Sequence, residues 1–257
     1  MPATVPPILP HHPRYLPQSA IRNPQWIALL FFLNALVLVP VFGHAQESPL
    51  FIEVSAEVGL TFTHFNGMTG DLSLLEIMGS GAALFDYDND GDLDALLVQG
   101  TFLGKGKPSA DALVPWTGAQ PPMARLYRNE LTVAADGTRR VRFTDVTAAS
   151  KIVADGYGMG VAVGDINNDG WLDLYLTSAG PGQLWRNNGD GTFRNASASI
   201  AGPPLQWAVS ATFFDYDRDG WLDLYVTQYV DVNVAKPPLC YAKSSAHDYC
   251  GPDAFAP

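Results

Sequence analysis

The sequence predicts an all-β fold, a β-propeller of repeated four-stranded blades that is incomplete in this chain, and three observations predict it. A nine-residue acidic loop recurs at 86–94, 165–173 and 215–223. Each copy lies between short apolar segments that read as strands: 79–85 and 93–98, 158–164 and 172–177, 208–214 and 222–227. After each of the first two loops comes a second strand-like pair, so the unit is four strands of about 50 residues with no helical periodicity. A β-sandwich or another solenoid of the same strands is the alternative.

The loops carry the chemistry. They read Asp86-Tyr87-Asp88-Asn89-Asp90-Gly91-Asp92-Leu93-Asp94, Asp165-Ile166-Asn167-Asn168-Asp169-Gly170-Trp171-Leu172-Asp173 and Asp215-Tyr216-Asp217-Arg218-Asp219-Gly220-Trp221-Leu222-Asp223. Oxygen-bearing side chains hold the first, third, fifth and ninth positions, and glycine the sixth. Hard Ca²⁺ takes six to eight oxygens at about 2.3 to 2.6 Å, and alternate residues of a curled loop point inward. The glycine permits a turn that aims the carbonyl of the seventh residue (Asp92, Trp171 or Trp221) at the same point. Polar hairpin turns are the bland alternative, since Asp, Asn and Gly form turns without a metal. Against it, carboxylates about 4 Å apart repel by roughly 1 kcal/mol in water and about 4 at an effective dielectric of 20. A turn has no need of that arrangement, still less three times in one register. The second site is expected to be the weakest, because Asn167 offers a neutral amide oxygen. An EF-hand is excluded, because the twelfth positions are Leu97, Leu176 and Val226.

The remaining strands follow from internal comparison. Leu126-Tyr127-Arg128-Asn129 matches Leu184-Trp185-Arg186-Asn187, and Phe143-Thr144-Asp145 matches Phe193-Arg194-Asn195, with Phe51-Ile52-Glu53-Val54-Ser55 as the same strand opening the series. Asn188-Gly189-Asp190-Gly191 supplies the positive φ angles of a hairpin turn. The loop starts are 79 and then 50 residues apart, and insertions within Gly100–Met123 and Glu130–Arg140 account for the difference. Both fall in connections, where a repeated sheet tolerates them.

Residues 1–45 read as a secretory signal: a Pro-rich, disordered n-region with Arg14 and Arg22, an apolar run from Trp26 to Phe42, and cleavage after Ala45. An uncleaved anchor is the alternative. Residues 46–257 are then secreted, periplasmic or at the cell surface, with no membrane span after cleavage. In that compartment Cys240 and Cys250, the two cysteines of the chain, are expected to pair, with unpaired thiols as the alternative. The net charge of -11 excludes a general nucleic-acid binder. The chain is expected to stop before the propeller closes, with three loops and the beginning of a further unit.

The repeat Gly-x-Gly-x-Ala-x-x-Asp-x-Asx-x-Asp-Gly-x-x-Asp-Leu, followed by Arg-Asn-Asn-Gly-Asp-Gly-Thr-Phe, resembles the FG-GAP/VCBS repeat of integrin α-chain propellers. Phe51-Ile52-Glu53-Val54-Ser55, His64, Glu76-Ile77-Met78-Gly79 and Asp248-Tyr249-Cys250-Gly251-Pro252 resemble the ASPIC/UnbV group, which includes cartilage acidic protein. The resemblance covers 51–257 and implies a calcium-stabilised extracellular propeller, often seven-bladed, followed by a further domain that is expected to lie outside this chain. The third unit departs from it, with Ala208 and Ser210 in place of glycines.

No Gly-x-Ser-x-Gly elbow, His-Glu-x-x-His or phosphate loop is present, and a lone His64 is more often structural than catalytic. Trp171, Tyr175, Trp221 and Tyr225 could stack on a sugar, but aromatics in strands ordinarily pack between sheets. The expectation is a non-enzymatic scaffold, with structural Ca²⁺ and the first-unit insertions contacting an extracellular protein or glycan. The alternative is part of an extracellular carbohydrate-active enzyme whose catalytic residues lie outside the chain.

Overall fold

A computed structural model of the chain describes residues 50–103, 112–203, 205–230 and 238–255. The expected signal segment, part of the first insertion and residues 231–237 lie outside these.

The first unit is an antiparallel meander. Its strands are β1 (Ala82–Phe85), β2 (Asp94–Leu97), β3 (Arg125–Asn129) and β6 (Phe143–Asp145), paired in that order. The insertion after β3 is itself a small hairpin of β4 (Thr132–Val133) and β5 (Arg139–Arg140). The second unit repeats the meander with β7 (Gly158–Gly164), β8 (Asp173–Ser178), β9 (Gln183–Asn187) and β10 (Phe193–Asn195). Its last turn closes as the sequence requires: Gly189 and Gly191 take φ of 74° and 80°, and the Asn188 amide donates to the Thr192 carbonyl at 2.9 Å. The third unit has two strands among the described residues, β11 (Ala208–Phe214) and β12 (Asp223–Gln228). After them comes a separate hairpin, β13 (Cys240–Tyr241) and β14 (His247–Asp248), closed by the Cys240–Cys250 disulfide.

Two expectations need correction. Residues 51–54 form no strand; the chain turns directly into the one-turn helix α1 (Ser55–Val58). The matching segments β6 and β10 are strands because β3 and β9 supply their ladders, and no described strand precedes residue 51 to do so. What the three segments share is the helical turn that follows, α2 (Thr147–Ser150) after β6 and a 3₁₀ turn, Ser197–Ser199, after β10. No fourth unit begins among the described residues, where the short disulfide hairpin follows β12.

The units stack face to face. One core joins Phe85, Tyr87, Leu96 and Leu126 of the first to Leu174, Leu176, Trp185 and Phe193 of the second. Leu96, Leu126 and Leu174 are fully buried, each contributing about 1.5–3 kcal/mol. A second core sets Ala162, Tyr175 and Leu184 against Ala211, Phe213, Leu224 and Val226 of the third unit. The inner strands approach closely enough to demand glycine. A Cβ on Gly160 would lie 2.9 Å from the Val209 carbonyl oxygen and 3.1 Å from Thr177 Oγ1. The backbone also bulges at the same point in β7 and β11, between Gly158 and Gly160 and between Ala208 and Ser210. Packing settles the aromatics unevenly. Tyr175 is buried under the third unit, whereas its counterpart Tyr225 and the nearby Trp221 are 57% and 53% exposed, having no described unit beyond them.

Candidate metal centre

Each acidic loop joins the first and second strands of its unit, and its own carboxylates shape it. Asp86 accepts the backbone N–H groups of Asp90 and Gly91 at 3.1 and 2.9 Å. Asp165 does the same with Asp169 and Gly170, and Asp215 with Asp219 and Gly220. The sixth-position glycines Gly91, Gly170 and Gly220 take φ of 93°, 85° and 89°, left-handed values that the tight turn requires. The ninth-position acid is the floor of the loop. Asp94 accepts from Tyr87 N at 3.0 Å and, across the sheet, from Asn129 N at 2.8 Å. Asp173 accepts from Ile166 N and Asn187 N at 3.3 and 2.8 Å. Both are completely buried. Asp223 accepts from Tyr216 N at 2.8 Å and is exposed, with no third strand of its unit among the described residues.

The expected ligands converge in part. One carboxylate oxygen from each of Asp86, Asp88 and Asp94 lies within 4.8 Å of the others, and so do those of Asp215, Asp217 and Asp223. Oxygens bound to one cation at about 2.3 to 2.6 Å are separated by up to about 5 Å, so either group could hold a metal ion. The second loop has Asn167 where its neighbours have aspartate. The fifth-position acids stand apart from these groups. Asp90, Asp169 and Asp219 each accept the N–H of the seventh residue, Asp92, Trp171 or Trp221, at 2.8–3.0 Å. Asp169 also takes a hydrogen bond from Asn167 and faces Arg186 at 3.5 Å.

Two polar atoms at one repeat position have no partner. Asp88 Oδ1 and Asn167 Oδ1, both third-position oxygens, are buried from solvent and accept no hydrogen bond. A buried acceptor left unmade costs about 1–3 kcal/mol, and a cation at the focus of each loop would satisfy its own. Burial holds the Asp88 carboxyl above the usual carboxylate range, with the charges of Asp90 and Asp86 adding to it. Burial pushes Asp94 up to about 6 and raises Asp173 as well. These carboxyls resist ionising together unless positive charge is supplied.

An FG-GAP-like repeat is found at residues 165–226. It runs from the first acid of the second loop into β12, the strand after the third loop, so two of the three loops fall inside it. No curated protein matches the chain.

Other groups around the repeat were not legible from the loops alone. Asn129 and Asn187 donate a backbone N–H to the ninth-position acids, and the Asn187 side chain reaches the Tyr87 carbonyl of the preceding unit at 2.8 Å. The repeated Arg-Asn pair at 128–129 and 186–187 was the available signal. Elsewhere, Glu76 is buried and accepts from Thr69 N at 3.2 Å and from the Tyr249 hydroxyl at 3.3 Å, which unites two segments 173 residues apart. Among the described residues His64 is exposed, and no helix is long and apolar enough to cross a membrane.

Proposed function

We propose that the chain is a Ca²⁺-binding, propeller-like module of a secreted or cell-surface protein, serving as a scaffold that binds an extracellular protein or glycan. The buried, unpartnered oxygens of Asp88 and Asn167 carry this reading. They occupy one position in two loops, and oxygen-only donor sets with several carboxylates suit Ca²⁺ rather than a softer metal. Asp86, Asp88 and Asp94 would hold the first ion, Asp165, Asn167 and Asp173 the second, and Asp215, Asp217 and Asp223 the third. Bound Ca²⁺ would neutralise charge at the joint between the first two strands, leaving the sheets themselves to present the surface. The disulfide supports an oxidising compartment. The meeting of the Glu76 and Tyr249 segments supports a relation to the ASPIC/UnbV group, whose motifs both segments resemble.

For a partner the first unit offers the exposed β4–β5 hairpin, with Arg139 and Arg140, and a cleft lined by Gln120, Arg125, Thr147 and Lys151. The reading assigns no reaction to the chain. Hydrolysis of a glycan panel, abolished by a change outside the loops, would replace it with the enzyme alternative. Calorimetric titration of metal-stripped protein tests the cation sites. Ca²⁺ should bind at up to three sites, and Asp165→Ala and Asp215→Ala should each remove one. Absence of binding at millimolar Ca²⁺ would sink the proposal.

A further inference from the structure

The fourth residue of each loop is outside the ligand pattern, yet in two loops its side chain reaches into the next one. Asn89 Nδ2 donates to the Gly170 carbonyl at 3.0 Å, and Asn168 Nδ2 donates to the Gly220 carbonyl at 2.8 Å. Both donors sit in left-handed backbone, at φ of 56° and 55°. Asparagine tolerates that conformation and brings an amide donor to it. Both acceptors are the sixth-position glycine of the neighbouring loop.

The peptide being gripped is what makes the contact consequential. The Gly170 carbonyl belongs to the same planar peptide as the Trp171 N–H, which donates to Asp169 Oδ1 at 3.0 Å. The Gly220 carbonyl likewise shares its plane with the Trp221 N–H, which donates to Asp219 Oδ1 at 2.8 Å. Holding the oxygen of a planar unit fixes the direction of its N–H. The preceding residue in each case, Gly170 or Gly220, donates its own N–H to the first-position acid. Asn89 is itself bracketed by Asp88 and Asp90, so whatever orders the first loop also sets the donor. The third loop has Arg218 in this place, also at positive φ (64°).

The geometry points to Asn89 and Asn168 as positioning residues that couple adjacent cation sites, so that filling one loop preorganises the next. This rests on the cation reading above. By linkage the coupling is reciprocal: a filled second loop tightens the first by the same factor.

Terbium, a luminescent stand-in for Ca²⁺, reads the sites separately, because Trp171 and Trp221 lie in the second and third loops and the first has Asp92 at that position. In a Trp221→Phe background, the part of the tryptophan-excited luminescence that Asp165→Ala abolishes reports the second loop, and Asn89→Gly removes the donor while keeping the left-handed backbone accessible. The half-saturation concentration at the second loop should rise about five-fold, the worth of one hydrogen bond. In a Trp171→Phe background, Asn168→Gly should do the same to the third loop. Metal-free thermal stability should fall by no more than the loss of one solvent-exposed hydrogen bond in both, and a larger fall would make the residues general stabilisers rather than positioning ones. Half-saturation unchanged by Asn89→Gly and Asn168→Gly, with calcium-displaceable luminescence intact, overturns the coupling. Loss of such luminescence in the parent proteins overturns the cation reading and the coupling with it.

Discussion

Asp94 and Asp173 show how much a side chain's role depends on what lies beneath it. Each is fully buried, each accepts one backbone N–H from its own loop and one from the third strand of its unit, and burial raises the pKa of both, Asp94 to about 6. The folded value of Asp94 lies above the ordinary carboxylate value near 3.8, so the metal-free fold binds its proton more tightly than the unfolded chain does. That contribution is fully present below about pH 3.8 and is lost as pH rises through about 6. Urea unfolding of metal-stripped protein should therefore show stability from this group falling between pH 4 and 6.5. Ca²⁺ requires the ionised form, so affinity at the first loop should weaken as pH drops from 7 to 5, and calorimetry at the two pH values checks it. At the third position, Asn167→Asp should strengthen the second site, several-fold or more, because a carboxylate replaces an amide oxygen. An unchanged affinity would remove Asn167 from the ligand set.

At the scale of the element, the strands around each loop were legible because period and punctuation agree there. β7 and β11 run over the expected residues, and the Asn-Gly-Asp-Gly turn closes as its glycines dictate. What was illegible depends on partners that a local pattern does not contain. Phe51-Ile52-Glu53 carries the same residue types as β6 and has no strand to pair with; Trp221 and Tyr225 have the same types as Trp171 and Tyr175 and nothing described beyond them. In the loops, residue type announced the oxygens. It did not announce that the fifth-position acids turn toward the backbone, because that follows from the positive φ at positions four and six. The glycines of β7 belong to the same scale. Gly160→Ala should destabilise by about 1–3 kcal/mol, because its Cβ would meet the Val209 backbone oxygen, which has little room to retreat. Equilibrium unfolding in saturating Ca²⁺ measures this; a neutral result would mean that the second and third units are free to slide apart.

Across residues 53–255 the interior is made between sheets, with each unit lending one face to the next. The disulfide hairpin stands outside that scheme, since Cys240 and Cys250 enclose a short loop. The chain-entropy model assigns such a ring on the order of 3 kcal/mol. Its effect should stay local: reduction, or paired Cys→Ser substitution, should speed amide exchange at 240–250 and leave β7–β10 protected. Deprotection of both regions together would instead make the hairpin part of the common core.

The contact between Tyr249 and Glu76 has a consequence for the order of assembly. Strands within each four-stranded sheet are close neighbours along the chain, so their closure entropy is small and they can form early. The Tyr249–Glu76 bond spans 173 residues, and Phe255 packs beside Leu74 and Leu75 in the same region. Those contacts carry the larger closure entropy, so they are expected to form after the intervening repeats have taken their places. They make that end of the molecule a late checkpoint in folding, one that registers whether the sheets have been stacked correctly.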